Sequence, residues 1–228
     1  MRVRAAVGLL LAAVQAGVAL AAPPSVCHGT PADGRLEHGV SLPWSGANFR
    51  SYSWVGWMAG RTYVHDRVHA TLLDAWAAMR DVSPGVTFVY GETGLQRGGK
   101  FEPHRTHRNG LSVDLMVPVT HAGAPATLPT HAFNRYGYDL EFSPKGELGA
   151  YRIDFETLAE WLYQIDVAGR RHGAPIARVI FDPSLQKMLW RSERGPELRN
   201  RIAFSTRPAW VRHDEHVHVD FDVACRPR

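Results

Sequence analysis

Beginning at His216, the end of the chain alternates. His216, His218 and Asp220 fall on one face of a strand, while Val217, Val219 and Phe221 fall on the other, because strand side chains point to opposite faces with a period of two. A second alternating run spans Leu111 to Val117: Leu111, Val113, Leu115 and Val117 face one way, Ser112 and Asp114 the other. Helical periodicity appears twice. Tyr63 to Met79 carries Val64, Val68, Leu72, Ala75, Trp76 and Met79 on one stripe. The segment from Asp154, a good N-cap, to His172 before Gly173 carries Leu158, Leu162, Ile165 and Ala168. Val86–Tyr90 and Ile176–Phe181 read as further strands, and Pro183–Trp190 as a short helix that begins with proline. A hairpin is expected around Ser143–Gly146, and His28 to about Gly60 looks like an irregular wrap. Strands scattered among helices without regular βαβ alternation predict an α+β fold. We expect a single domain over 22–228, with a central antiparallel sheet, flanking helices and the N-terminal wrap.

The first residues do not fit that domain. Arg2 and Arg4 precede an apolar run to Leu20, and Ala19-Leu20-Ala21 matches the small-x-small pattern of signal peptidase. The run is short for a membrane span and is followed by Pro23-Pro24, so residues 1–21 read as a cleaved export signal, with cleavage near Ala21 and a periplasmic destination. No stable membrane insertion is expected after cleavage. The remainder, from a chain of 228 residues with 45% hydrophobic content, suffices for one real core. Only Cys27 and Cys225 are cysteines. A lone pair cannot build a cysteine-rich zinc site, and in an exported protein it is expected to form a disulfide tying the two ends together. The net charge of +4 favours an anionic partner. No dense basic block is present and export argues against nucleic acid, so an acidic polymer such as a cell wall is the better candidate.

The chemistry lies in two clusters about a hundred residues apart: His104-Arg-Thr-His107-Arg-Asn-Gly-Leu-Ser-Val-Asp114, and His213 to His218. Catalytic zinc usually takes three side-chain ligands from His, Asp or Glu and keeps a fourth position for water. His107, Asp114 and His218 meet that count. Asp114 lies on the polar face of its strand, His107 can fold back from the preceding loop, and Gly110 between them permits the turn. By contrast, His65 and His69 have helical spacing, but Asp66 stands where a zincin motif needs glutamate, so they read as helix-surface histidines. Gly98-Gly-Lys100 lacks the P-loop frame.

These motifs resemble a known family. The stretch from Gly98 to Asp114, together with Ile176–Leu189 and the closing His213-x2-His216-x-His218, is similar to penicillin-insensitive murein endopeptidases. That family belongs to the wider group of lysostaphin-type enzymes, D-Ala-D-Ala metallopeptidases and hedgehog domains. The resemblance implies a zinc endopeptidase that cuts peptidoglycan cross-links between D-alanine and meso-diaminopimelate. It implies His107, Asp114 and His218 as zinc ligands, and His216 as oxyanion stabiliser or proton shuttle. His104 matches a histidine that can bind an additional metal ion, although further ligands of such a site do not align. His213 resembles a further family histidine, which implies an active-site role for it. Glu215 has the Glu-x-x-His spacing of a general base, but on a regular strand it would face away from His216 and His218. It reaches the water only if the strand begins at His216; otherwise it is a solvated or structural carboxylate.

Asp139 and Glu141 are candidates for a substrate groove or for the exposed face of a hairpin. Trp44, Trp54 and Trp57 read either as sugar-stacking residues or as aromatic packing in the wrap. Two other functions stay open: a carboxypeptidase or dipeptidase of the same group that trims stem peptides, and a non-catalytic wall-binding module.

Overall fold

The two alternating runs become neighbours. In the computed structural model, which describes residues 22–228, the strands Ser112–Met116 and His216–Phe221 pair antiparallel, with His218 opposite Asp114 and Asp220 opposite Ser112. The expected export signal lies outside the described residues. Three more strands complete a five-stranded sheet in the order Ile176–Ile180, His216–Phe221, Ser112–Met116, Phe88–Tyr90, Phe49–Ser51. Its pairings are antiparallel except at one edge, where Phe49–Ser51 runs parallel to Phe88–Tyr90.

Period-two patterning assigns the two faces of this sheet. Val113, Leu115, Val217, Val219 and Phe221 join the hydrophobic core with the apolar stripes of two helices, Asp66–Val82 and Phe155–His172, which pack on each other. Each such fully buried aliphatic side chain contributes roughly 1.5–3 kcal/mol. Trp161, fully buried against Phe88 with ring centroids 4.5 Å apart, fills the space between helix and sheet. The opposite face carries Asp114, His216, His218 and Asp220. All four are buried, so their polar atoms must find partners on that side.

Caps set the helix boundaries. Asp154 Oδ1 accepts from the Thr157 N–H at 3.0 Å, and Gly173 ends that helix in the left-handed conformation at φ +66°. The first long helix begins at Asp66 rather than Tyr63, because His65 serves as its N-cap and Tyr63–Val64 pairs with Val40–Ser41 as a short strand. The Pro183–Leu189 helix starts behind Asp182, whose side chain accepts from Ser184 N. A short helix at Gly195–Arg201 was not expected.

Two expectations need correction. The N-terminal wrap is more regular than its composition suggests. It contains the Val26–Thr30/Asp33–Glu37 hairpin, the Phe49–Ser51 edge strand and the Trp54–Met58 helix, capped by Ser53. Around Ser143–Gly146 there is a turn, in which Ser143 accepts from Gly146 N. The hairpin itself lies later, pairing Glu147–Leu148 with Tyr151–Ile153 across Gly149 at φ +55°. It extends a second sheet that also contains Val119–His121 and Ala124–Ala126. The expected disulfide is present: Cys27 in the first hairpin is bonded to Cys225, a separation of 198 residues.

Candidate metal centre and active-site cleft

Asp114 is the hub. It is 1% exposed, and its Oδ1 lies 2.9 Å from His218 Nδ1, 3.2 Å from His107 Nε2 and 3.8 Å from His216 Nε2. Cross-strand register delivers His218. The loop before the Ser112–Met116 strand delivers His107, whose own backbone is left-handed at φ +66°, followed by Gly110 at φ +78°. A non-glycine residue held in that region stores strain, which persists where the surroundings over-determine it. Burial would raise the Asp114 carboxyl, but the surrounding imidazoles outweigh it and hold the group well below the usual carboxylate range.

The donor atoms suit a divalent ion. His107 directs Nδ1 to the Thr93 carbonyl at 3.2 Å, while its buried Nε2 has no hydrogen-bond partner among the described residues despite its closeness to Asp114. His218 directs Nε2 to Asp220 Oδ1 at 2.9 Å, which leaves Nδ1 towards Asp114. Two imidazole nitrogens, each fixed from behind, thus converge on one carboxylate oxygen. An orphaned buried nitrogen in an N,N,O donor set matches the ligand chemistry of zinc. His104, His107 and Asp114 also offer donor atoms within 4.8 Å of one another, a cluster that can hold a metal. His104 is engaged elsewhere, with Nε2 2.5 Å from Glu92 Oε2.

His216 and Glu215 stand beside this hub. The strand begins at His216, so Glu215 is in the preceding bend and lines the same cleft as His213, His216 and His218. Glu215 Oε1 lies 2.8 Å from His216 Nδ1. Burial pushes the Glu215 carboxyl up to about 8 and the His216 imidazole down to about 4. His213 points Nδ1 at the Val211 carbonyl, 3.0 Å away, and its ring lies 4.7 Å from that of His216. Burial and the neighbouring His216 bring His213 down to about 3. The loop ahead of the strand is pinned where Asp214 Oδ2 accepts from the Phe142 N–H at 2.6 Å.

His104, His213, Glu215, His216 and His218 line a cleft of about 480 Å³, while His107 and Asp114 are buried and do not line it. Tyr52 and the Trp54–Met58 helix line part of it, and Ala209–Arg212 with Ile180 line another part.

A model of the penicillin-insensitive murein endopeptidase family matches residues 27–227. The chain belongs to this family. Murein is peptidoglycan, so this murein endopeptidase family member is a hydrolase whose substrate class is the cell wall. The chain matches no curated protein. A wall-acting family and a disulfide fit an exported protein, and no described helix is long and apolar enough to cross a membrane.

Several residues around the site of this family member carry no signal in the sequence. Tyr138 donates to Asp114 Oδ2 at 3.0 Å and accepts from the Glu92 N–H at 2.8 Å. Burial and the flanking carboxylates raise its phenol well above the ordinary value, so it remains a donor. Glu92 gathers Tyr52, Arg61 and His104. Tyr136 and Tyr138 line the cleft, whereas Asp139 and Glu141 do not. Asp220 accepts from His218 and Ser112 on Oδ1 and from Arg178 on Oδ2. Its place on the histidine face was visible in the alternation, but Ser112 and Arg178 reach it from other strands. Trp44 and Trp57 pack edge to face at 6.4 Å, while Trp54 is exposed beside the cleft.

Proposed function

We propose that this chain is a zinc endopeptidase that hydrolyses D-alanyl–meso-diaminopimelate cross-links, with His107, Asp114 and His218 holding the metal. The observation that carries this reading is the pair of imidazole nitrogens, one orphaned, facing Asp114 Oδ1 at 3.2 and 2.9 Å, with His218 also lining the cleft. When bound, zinc polarises the scissile carbonyl and makes water acidic enough to attack near neutral pH. Water adds to the carbonyl carbon, the C–N bond breaks, and a proton taken from water passes to the leaving amine.

The chain's own groups move that proton. With Glu215 ionised, His216 Nδ1–H donates to it, and Nε2 offers a lone pair to the attacking water. With Glu215 protonated, its hydroxyl donates to Nδ1, and Nε2–H becomes a donor for the developing oxyanion. Burial favours the protonated form, and a dication nearby favours the ionised one. Glu215 therefore acts with His216 as a dyad. His213, with one ring nitrogen committed to backbone, faces substrate beside that dyad. His104 is held by Glu92 through Nε2, and its Nδ1, 3.9 Å from Asp114 Oδ2, is the nitrogen it would offer to an additional metal.

Digestion of purified sacculi, with and without a chelator, tests the reading. Loss of cross-linked dimers and gain of monomers, both abolished by chelation and restored by zinc, is expected. Shortened stems with dimers intact would instead assign a carboxypeptidase or dipeptidase. Binding to sacculi with no release of fragments would assign a wall-binding module.

A further inference from the structure

Among the described residues four arginines line the cleft, and two of them are neutralised. Arg61 is paired with Glu92, and Arg212 lies 3.0 Å from Asp214. Among the described residues Arg105 has no carboxylate within ion-pair distance, and its guanidinium sits over the exposed Trp210 ring at 5.0 Å. Arg135 faces only Asp139, at 3.5 Å between two exposed side chains, a contact that water screens and that a ligand readily replaces. No lysine lines the cleft. Its uncommitted cations are thus two planar, always-charged forks, the chemistry that grips a carboxylate with paired hydrogen bonds.

The backbone under Arg135 makes the arrangement costly. Arg135 and Tyr136 are consecutive non-glycine residues in the left-handed region, at φ +47° and +59°. Buried Asn134 holds them there: its Oδ1 accepts from the His131 and Gly137 N–H groups at 3.0 Å each, and its Nδ2 donates to the Pro129 carbonyl at 2.7 Å. The same segment is tied to the candidate metal centre through Tyr138 and Asp114. Glycine at 135 would remove the strain at that position, so retaining an arginine there points to use of its side chain.

We propose that Arg105 and Arg135 form a carboxylate-binding subsite that orients the amine side of the scissile bond. The inference rests on the cross-link reading above. In that cross-link, the carbon bearing the scissile nitrogen of diaminopimelate also bears a free carboxylate, which enters the cleft with the bond to be cut. Arg105 is pre-oriented by stacking on Trp210, and Arg135 is delivered by its strained turn.

The test compares two dimeric muropeptides, with this carboxylate free or amidated, in steady-state kinetics. Wild type is expected to prefer the free form by on the order of tenfold, mostly through KM. Arg105→Ala and Arg135→Gly should each raise KM for the free form by about that factor, change kcat little, and abolish the preference. Arg135→Gly should melt no lower than wild type because it relieves strain. Equal hydrolysis of both forms by wild type overturns the subsite alone, as does a variant that keeps the preference. Hydrolysis of neither form by wild type overturns the cross-link reading and the subsite with it.

Discussion

His107 uses one of its two ring nitrogens on a backbone carbonyl and leaves the other buried without a hydrogen-bond partner among the described residues. That asymmetry is the expected state of an imidazole whose second nitrogen serves a metal. His216 differs, because its Nδ1 is held by Glu215 and its Nε2 is 3.8 Å from Asp114 Oδ1. His216→Ala should therefore retain zinc while turnover falls by ~10²–10⁴-fold. Full turnover in that variant would move the proton-transfer role elsewhere. Asp220 acts one step further out, through His218. Asp220→Ala should weaken zinc affinity by ~10–100-fold in a chelator-competition titration. Unchanged affinity there, alongside loss in His218→Ala, would make Asp220 a purely structural carboxylate.

At the scale of elements, the site depends on one strand pair and one loop. The alternation from His216 and from Leu111 was legible because a buried strand face must be apolar and its reverse must carry whatever is polar. Register then placed His218 opposite Asp114. The His107–Asp114 loop was legible through Gly110, which sits at φ +78° with an added Cβ only 2.9 Å from the His65 backbone nitrogen and 2.6 Å from Leu36 Cδ2. Gly110→Ala should therefore cost about 1–3 kcal/mol in denaturant unfolding and displace His107 enough to lower zinc content. A variant with wild-type stability and metal would show that the loop tolerates another path. Tyr138 and Glu92 were not legible, because they reach Asp114 through tertiary contacts that no local period encodes. The left-handed turn at Arg135–Tyr136 was hidden for a different reason: neither residue type signals positive φ. The N-terminal hairpin was hidden because its paired strands are short and rich in polar residues.

Across the whole molecule, two devices tie distant segments together. The Cys27–Cys225 bond joins the first hairpin to the tail after the His216–Phe221 strand, and in the loop-entropy model such a long closure stabilises by roughly 4–5 kcal/mol. The second device is the buried Glu92 network, which links Tyr52 to Arg61 and His104. Burial alone would raise the Glu92 carboxyl, but hydrogen bonds from His104 and Arg61 prevail and hold it down to about 2. Its folded value lies below the ordinary carboxylate value. The stability it contributes is thus complete above about pH 4.5 and is lost as pH falls from there towards about 2. Melting temperature followed across that window should fall more steeply for wild type than for Glu92→Gln. Parallel curves would place acid sensitivity in other groups.

The central claim is that three side chains distant in sequence share one zinc ion. Zinc-edge anomalous diffraction from crystals of the zinc-loaded protein tests it most directly. A strong peak is expected about 2.0–2.2 Å from His107 Nε2, Asp114 Oδ1 and His218 Nδ1. A map with its strongest peak elsewhere, or with no peak among these three atoms, would contradict it.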